Sequence, residues 1–249
     1  MIPAFAQRRT QWSSPPIDDI GYIPSKDLMT WDDGALVDLI NEMEHSRYLG
    51  WRNFEGRWRR VLGLDTTFAR DVLDYGCGVG LESLQYARNE NRVTVADISG
   101  DNISLALRVL KLFEVPAAGH WLIPERPASA PSTMRKFDVV HCCGVLHHIP
   151  NAEDVVKALH SRLRAEGELR LMVYSDEAWR IATGTEPPLI VDNHPKFERY
   201  WQHWDPIGGY ADWYNAERLE SRFGRWFTIE QYEPLTEHGE YVGAVMVKR

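Results

Sequence analysis

The stretch DVLDYGCGVG, residues 71–80, decides the fold predicted for this chain. Residues 71–75 predict a short strand, and residues 81–89 predict the helix that follows it. The glycines at positions 76, 78 and 80 let the backbone turn abruptly and approach a ligand with no Cβ in the way, beside a helix N-terminus. A nicotinamide dinucleotide fingerprint needs a third glycine where Leu81 stands, so the spacing argues against that ligand.

Strands and helices alternate along the middle of the chain. Further strands are predicted at residues 92–97, 119–123, 137–142 and 168–174, with a helix over 101–113. Asn151 is expected to cap another helix, and Gly167 to end that helix in the left-handed conformation. This alternation implies right-handed crossovers and a parallel sheet.

The C-terminal part of the sequence departs from that alternation. Asp212 is expected to cap a helix that stops at Gly224. Strands at 226–235 and 240–248 follow with only a short turn between them, so they must pair antiparallel. The predicted fold class is therefore α/β: a Rossmann-like three-layer sandwich whose seven-stranded sheet is mostly parallel, with one reversed strand near the edge.

A chain of 249 residues fits a single domain, which we divide into four parts. Residues 1–69 form an N-terminal flank or lid with a helical pattern over 35–64, and residues 70–174 form the ligand-binding core. Residues 175–224 form an aromatic-rich insertion that caps the substrate side. Residues 225–249 form the C-terminal hairpin.

Composition and charge restrict the partners of this protein. The formal net charge of -8 describes an acidic surface that repels a phosphate backbone, so nucleic acid is an unfavourable partner. No apolar run is long enough to cross a bilayer, and the first residues lack the apolar core of a signal peptide, so we expect a cytoplasmic protein without a membrane partner. Three cysteines predict free thiols rather than a disulfide framework, and oligomeric state is left open.

Three runs in order along the chain carry a family resemblance. The runs VLDYGCGVG (72–80), VTVADIS (93–99) and FDVVHCCGVLHHIP (137–150) resemble the glycine loop, the ribose-binding acid and the fourth-strand motif of class I S-adenosylmethionine-dependent methyltransferases. The resemblance implies S-adenosylmethionine as cofactor and S-adenosylhomocysteine as product, without a metal ion. It assigns cofactor-binding roles to Asp74, Gly76, Cys77, Gly78, Gly80, Asp97, Ile98 and Cys143.

The residues themselves suggest how those roles divide. A carboxylate at a strand end, here Asp97, can accept both ribose hydroxyls, and Ile98 can lie against a purine. By resemblance, Asp74 and the glycines hold the methionine end, and Cys143 lies near the sulfonium. The acidic residue that the family often carries after the third strand is missing, so backbone groups or Glu125 would hold the adenine amino group.

Two histidines follow the fourth predicted strand. A sulfonium methyl group is already activated, so the protein must hold a nucleophile in line and exclude water, and it needs a base only if the nucleophile arrives protonated. His148 matches the more usual family histidine and is the first choice for a base or substrate-orienting group, against a structural role, whereas His147 is expected to turn away. A metal site is not expected, because neighbouring strand residues point to opposite faces.

The aromatic-rich insertion predicts the acceptor pocket. Long insertions at the carboxyl edge of a sheet commonly build such pockets, and this one contributes His203, Tyr210 and Tyr214, with Tyr48 and Trp51 as the opposite wall. The predicted function is methyl transfer from S-adenosylmethionine to an oxygen or nitrogen of a small molecule. An RNA-modifying methyltransferase and a non-catalytic S-adenosylmethionine-binding protein are the alternatives.

Overall fold

The computed structural model describes residues 5–17, 20–126 and 135–249. The strands are β1 (Pro16–Ile17), β2 (Gly21–Tyr22), β3 (Asp71–Tyr75), β4 (Arg92–Asp97), β5 (Gly119–Leu122), β6 (Phe137–Cys143), β7 (Leu163–Tyr174), β8 (Phe227–Pro234) and β9 (Tyr241–Lys248). The helices are α1 (Phe5–Gln11), α2 (Ser25–Leu28), α3 (Asp33–Leu49), α4 (Arg57–Val61), α5 (Leu81–Arg88), α6 (Gly100–Leu112), α7 (Ala152–Arg162), α8 (Asp176–Thr183), α9 (Phe197–Trp204) and α10 (Ala216–Phe223).

Within the described residues, the central sheet has seven strands in the order β5-β4-β3-β6-β7-β9-β8. Strands β3 to β7 run parallel, whereas β9 runs antiparallel to both of its neighbours, β7 and β8. The predicted sheet, mostly parallel with one reversed strand near its edge, is confirmed. Strand order reverses beside β3, and in open α/β sheets ligands bind outside the strands at such a point.

Helices cover both faces of this sheet, which makes three layers. Val72 packs with Leu84 of α5 and Val109 of α6, and all three are buried. The next residue, Leu73, packs on the other face with Val156 of α7 and Phe223 of α10, because successive side chains of a strand point to opposite faces. The predicted three-layer sandwich is therefore confirmed.

The helical pattern over residues 35–64 is interrupted. Helix α3 ends at Leu49, a 3₁₀ turn spans Trp51–Gly56, and α4 begins at Arg57. Two successive residues, Glu55 and Gly56, have positive φ angles of 52° and 72°, which a right-handed helix cannot contain. The apolar spacing on either side of the break had suggested a continuous helix.

Two predicted helix ends are wrong. Helix α7 ends at Arg162, and the left-handed residue is Glu166, with a φ of 59°, rather than Gly167, because β7 already begins at Leu163. Helix α10 is capped by Asn215, whose side chain accepts a hydrogen bond from the Arg218 backbone amide at 2.9 Å. The predicted cap, Asp212, instead receives hydrogen bonds from arginine side chains of α10.

Membrane insertion of a helix finds no support in the described parts of the chain. None of the helices there combines the length and the apolar character that crossing a bilayer requires.

Candidate active site

One large cavity lies at the carboxyl ends of β3, β4, β6 and β7. Its volume is about 1300 Å³, more than the roughly 300–1,000 Å³ typical of a pocket for one small ligand. One end is lined by the glycine loop, Asp97 and Ile98, and the other by aromatic side chains of β7, α9 and β9. The cavity can therefore hold two ligands side by side.

The three loop glycines serve different purposes. Their φ angles are 87° at Gly76, 51° at Gly78 and 88° at Gly80. A Cβ at Gly76 would lie 2.2 Å from Cγ2 of Val145, and one at Gly80 would lie 2.9 Å from Cβ of Ala106, so these two positions are closed by packing. At Gly78 the nearest atom would be Cβ of Pro15 at 3.6 Å, so this glycine keeps the loop open toward the cavity.

Asp97 is buried at the end of β4, and protein groups already bind it. Its carboxylate accepts hydrogen bonds from the backbone amides of Gly78 (3.0 Å) and Ser99 (2.8 Å), and from Nδ2 of Asn102 (3.0 Å). Burial raises its pKa to about 6. A carboxylate offers about four lone-pair sites, and these donors already use most of them, so two ribose hydroxyls fit only if a protein donor yields its place.

Asp74 supports the glycine loop from behind. It is buried, does not line the cavity, and accepts a hydrogen bond from Oγ of Ser83 in the first turn of α5. Burial raises its pKa to about 7, and the nearby carboxylates of Glu82 and Asp97 add to this effect. Of the eight residues assigned to the cofactor, Asp74 and Gly80 lie outside the cavity lining, and the other six line it.

The residues present at this end of the cavity fit an adenosyl group. Asp97 offers a carboxylate at a strand end, Gly78 leaves room for close approach, and the apolar side chains of Ile98 and Ile123 line the same region. Glu125 also lines the cavity, which places a carboxylate after β5 where the sequence predicted a partner for the adenine amino group.

His148 is held between two hydrogen-bond acceptors. Its Nδ1 lies 2.8 Å from the carbonyl oxygen of Tyr210, and its Nε2 lies 3.0 Å from Oδ2 of Asp205. The other carboxylate oxygen of Asp205 accepts a 2.6 Å hydrogen bond from the hydroxyl of Tyr22. Burial and the Asp205 charge raise the pKa of that phenol well above its usual value, so Tyr22 stays protonated.

His147 lines the cavity, whereas from the sequence we expected it to turn away. Its ring stacks on Tyr174 at 3.9 Å between centroids and contacts the ring of His148 at 4.1 Å. Burial, with His148 beside it, holds the pKa of His147 well below its usual range, so this imidazole is neutral. Within the described residues, no set of three or more His, Cys, Asp or Glu side chains is arranged to hold a metal ion.

The five side chains predicted to contact the acceptor do not line the cavity: Tyr48, Trp51, His203, Tyr210 and Tyr214. The Tyr48 hydroxyl lies behind the wall, 3.5 Å from Glu82, and Tyr214 is buried against Phe223. Tyr210 contributes its carbonyl oxygen rather than its ring. The insertion does contribute to the cavity, but through Trp204, Asp205 and Pro206.

The end of the cavity opposite the glycine loop is lined by rings that sequence reasoning did not select. We call this end the aromatic compartment and define it by Trp58, Tyr174, Trp204 and Tyr241. Tyr174 and Tyr241 stack at 5.7 Å, because β7 and β9 pair these two residues directly. The direct pairing was predictable once the hairpin had been aligned on β7, but the contributions of Trp58 and Trp204 were not.

The N-terminal segment, defined as residues 5–17 and 20–22, covers the cavity. The carbonyl of Trp12 accepts a 2.7 Å hydrogen bond from Nδ2 of Asn102, and the Trp12 ring lies 4.8 Å from that of His148. The hydroxyls of Ser13 and Ser99 are 2.9 Å apart. This segment therefore contacts both ends of the cavity.

Comparison with known proteins points to one family. A family profile described as "Methyltransferase domain" matches residues 41–226. A ubiquinone biosynthesis O-methyltransferase of Sodalis glossinidius is 28% identical over 118 residues, covering 46% of this chain and 46% of that protein. Its counterpart from Pectobacterium carotovorum is 25% identical over 174 residues, covering 69% and 70%.

Two further proteins extend the comparison. A tRNA U34 carboxymethyltransferase of Pseudoalteromonas translucida is 30% identical over 155 residues, which cover 61% of this chain and 45% of that protein. The crystal structure of N-methyltransferase NodS from Bradyrhizobium japonicum with S-adenosyl-L-homocysteine shares the fold, with a TM-score of 0.55 at 17% identity, over 90% of this chain and 96% of that one. This chain thus spans less than half the length of some curated relatives.

Proposed function

The chain belongs to the class I S-adenosylmethionine-dependent methyltransferases, and we propose that it transfers the methyl group to an oxygen or nitrogen atom of a small-molecule acceptor. The observation that carries this proposal is one continuous cavity of about 1300 Å³ that joins the glycine loop and Asp97 to the aromatic compartment. S-adenosylhomocysteine is the expected second product.

At the cofactor end, Gly78, Asp97 and Ile98 would hold the adenosyl group, and Cys143 would lie toward the sulfonium. S-adenosylmethionine, once bound, supplies an activated methyl group. The protein then has two tasks, which are to orient the acceptor and to exclude water. The N-terminal segment serves the second task, since it covers both ends of the cavity.

At the acceptor end, the rings of the aromatic compartment favour an acceptor with a flat apolar part. Offset stacking and edge contacts with such rings stabilise a bound ring by about 0.5–1.5 kcal/mol per pair beyond the burial of its area. Arg47 and Arg52 also line the cavity, so a polar or anionic substituent can be accommodated. Glu82 binds Arg47 at 2.7 Å and offsets one of these charges.

We further propose that the chain acts as one unit, with the N-terminal part as a lid and residues 175–224 as a cap over the acceptor. The contact between Tyr22 and Asp205 supports this division, because it joins the two parts directly above the cavity. A covered cavity suits a small acceptor better than a polymer.

Isothermal calorimetry with S-adenosylhomocysteine tests the cofactor assignment. We expect a dissociation constant on the order of micromolar, and a folded sample that binds neither cofactor form would reject the proposal. A mass-spectrometric screen with trideuteromethyl-labelled cofactor and protein-free metabolite extract then identifies the acceptor. Cofactor binding without any labelled product would favour the non-catalytic alternative.

The tRNA-modifying relative supports one rival, methylation of RNA. An RNA enzyme needs a basic groove beside the cofactor, and such a groove retains the protein on heparin at physiological salt. With a net charge of -8, we expect this protein to pass through the column. Retention, together with labelled RNA after incubation with total RNA, would replace the small-molecule proposal.

A further inference from the structure

We infer that Asp205 accepts the proton that the acceptor loses on methylation, and that His148 and Tyr22 position this carboxylate. The inference rests on the proposed methyl transfer and adds the chemical class of the acceptor, which is a hydroxyl or an amine that arrives carrying a proton. It assigns to Asp205 the role that sequence reasoning gave to His148.

The hydrogen bonds of His148 leave neither ring nitrogen available to a substrate. The carbonyl of Tyr210 can only accept, so Nδ1 of His148, 2.8 Å away, carries a proton. Nε2 faces the Asp205 carboxylate at 3.0 Å and is occupied as well. Both side chains of the pair are nearly inaccessible to solvent, with exposures of 5% and 6%. Burial therefore holds the two side chains in this arrangement.

Counting hydrogen bonds shows that the lone pairs still able to accept a proton belong to the Asp205 carboxylate. Nε2 of His148 and Oδ2 of Asp205 lie 3.0 Å apart, a hydrogen-bond distance, so the two side chains share one proton. The hydroxyl of Tyr22 donates to Oδ1 at 2.6 Å. A carboxylate has about four lone-pair sites, so Asp205 keeps room for one further proton, and it lines the cavity.

The proposed step balances in atoms and charge. The acceptor's lone pair forms a bond to the methyl carbon, the carbon–sulfur bond breaks, and its electron pair stays on sulfur. The acceptor's O–H or N–H bond breaks, and the proton moves to Asp205. The cofactor loses one positive charge while the Asp205–His148 pair gains one, so the net charge of the closed site does not change.

The groups packed around the pair are held in fixed protonation states. His147, which contacts the His148 ring, is neutral because burial keeps its pKa well below the usual range. Tyr22 and Tyr174 have pKa values raised well above normal by burial, and burial raises the pKa of Tyr241 to about 12. Of the titratable groups facing the pair, these four keep one charge state near neutral pH, so a proton taken up there resides on the pair.

The first test needs no acceptor. Protein labelled with ¹⁵N-histidine and saturated with S-adenosylhomocysteine is followed by long-range ¹H–¹⁵N NMR between pH 6 and 8. We expect protonated Nδ1 at His148 and an Nε2 resonance that shifts strongly in Asp205→Asn. A His148 whose Nε2 is unprotonated in the wild type and unchanged by Asp205→Asn would overturn the inference, whatever the acceptor is.

The second test measures methyl transfer from trideuteromethyl-labelled cofactor to metabolites of a protein-free extract. Asp205→Asn should lower turnover by about 10²–10⁴-fold, with S-adenosylhomocysteine affinity within twofold of wild type. Its residual rate should rise steadily with pH, because solvent must then take the proton, whereas the wild-type rate reaches a plateau. Asp205→Glu should restore part of the rate, which a purely structural role would not predict.

The control variant is Asp192→Asn, which changes an exposed aspartate of the same insertion and should leave turnover unchanged. If Asp205→Asn does not fold, Tyr22→Phe serves in its place, and loss of its hydrogen bond should slow turnover about tenfold. An active wild type with an equally active Asp205→Asn variant refutes the role of Asp205 alone. A wild type that binds no cofactor refutes the proposed function instead.

Discussion

Asn102 donates a 2.7 Å hydrogen bond from its side-chain amide to the carbonyl of Trp12. The same nitrogen donates to Oδ1 of Asp97 at 3.0 Å, and Oδ1 of Asn102 accepts from Ser25 at 2.7 Å. One buried amide therefore links Asp97, the proposed ribose-binding acid, to the segment that covers it. A cofactor that changes the hydrogen bonds of Asp97 must also change the hold on the N-terminal segment.

Replacing Asn102 with alanine should loosen that segment. We expect S-adenosylhomocysteine to dissociate about tenfold faster, because the segment opens more often, and trypsin to cleave after Arg8 or Arg9 more rapidly. Stopped-flow tryptophan fluorescence and limited proteolysis measure these two effects. Ser104→Ala, on the exposed side of the same helix, is the control. Equal dissociation and cleavage rates in the Asn102 variant and wild type would contradict the link.

Asp97→Ala should weaken cofactor binding by an order of magnitude or more. The loss follows from removing a charged hydrogen-bond acceptor, which contributes about 1.5–3 kcal/mol. Calorimetry with S-adenosylhomocysteine measures the change. The substitution also leaves the Gly78 and Ser99 backbone amides without their acceptor, so it can disturb folding as well as binding. A thermal melt of the variant measures the effect on folding, and Asp97→Asn, which keeps one acceptor oxygen, is the milder comparison. Wild-type affinity in both variants would show that another group binds the ribose.

Cofactor affinity should depend on pH through Asp97. Its pKa is raised to about 6 in the folded protein, so the buried acid is protonated below that pH and is a poorer acceptor for hydroxyl groups. The dissociation constant should fall as pH rises from 5 to 7 and then level off. By the same shift, the contribution of Asp97 to stability falls as pH rises from its ordinary pKa of 3.8 to about 6, and levels off above that pH. Calorimetry between pH 5 and 8 tests this.

The matched comparison is Asp97→Asn. Its affinity for S-adenosylhomocysteine should no longer change with pH near 6, while any pH dependence that comes from Asp74 should remain. Asp74 has a pKa of about 7 and is not removed by that substitution. A wild-type curve that is flat from pH 5 to 7 would show that Asp97 does not titrate there.

Gly76→Ala should act mainly by destabilising the fold, because its new Cβ would clash with a protein side chain. The new Cβ would stand 2.2 Å from Cγ2 of Val145, at a φ of 87° that L-residues disfavour. We expect a loss of about 2–4 kcal/mol in the free energy of unfolding, measured by urea denaturation.

Val145→Ala combined with Gly76→Ala should recover at least about 1 kcal/mol, because the two sites interact directly. Gly100→Ala is the control, since nothing lies within 4 Å of its Cβ position. Strict additivity of the two substitutions would mean that the loop avoids Val145 by moving.

The sequence was sufficient for the sheet, and for bringing most of the residues assigned to the cofactor to one cavity, because both depend on local patterns in the chain. The glycine loop, Asp97 and Ile98 each follow a strand directly, and a parallel sheet brings strand ends together. The opposite end of the cavity is different. Tyr22 contacts Asp205 across 183 positions, and no periodicity in either segment indicates that contact.

The errors have related causes. Rings in the insertion were chosen by residue type, yet Tyr210 enters the site through its carbonyl, a group that every residue has. The position of His148 after β6 predicted a place in the site, and His148 lines the cavity. Both of its ring nitrogens already have partners there, and the contact with Asp205 is visible only in the folded chain. Helix ends were missed where a tertiary contact outweighed local preference, as at Asp212, whose carboxylate binds two arginines.

The 2.6 Å hydrogen bond between Tyr22 and Asp205 has a consequence for which step limits turnover. With the N-terminal segment acting as the lid proposed above, an acceptor would enter only when that segment moves away, and this movement would separate the Tyr22 phenol from the Asp205 carboxylate. The proposed proton-accepting arrangement would thus be lost at each product release and formed again at each binding of an acceptor. Such an enzyme would be inactive while open, and closure of the segment, rather than methyl transfer, would limit its turnover rate.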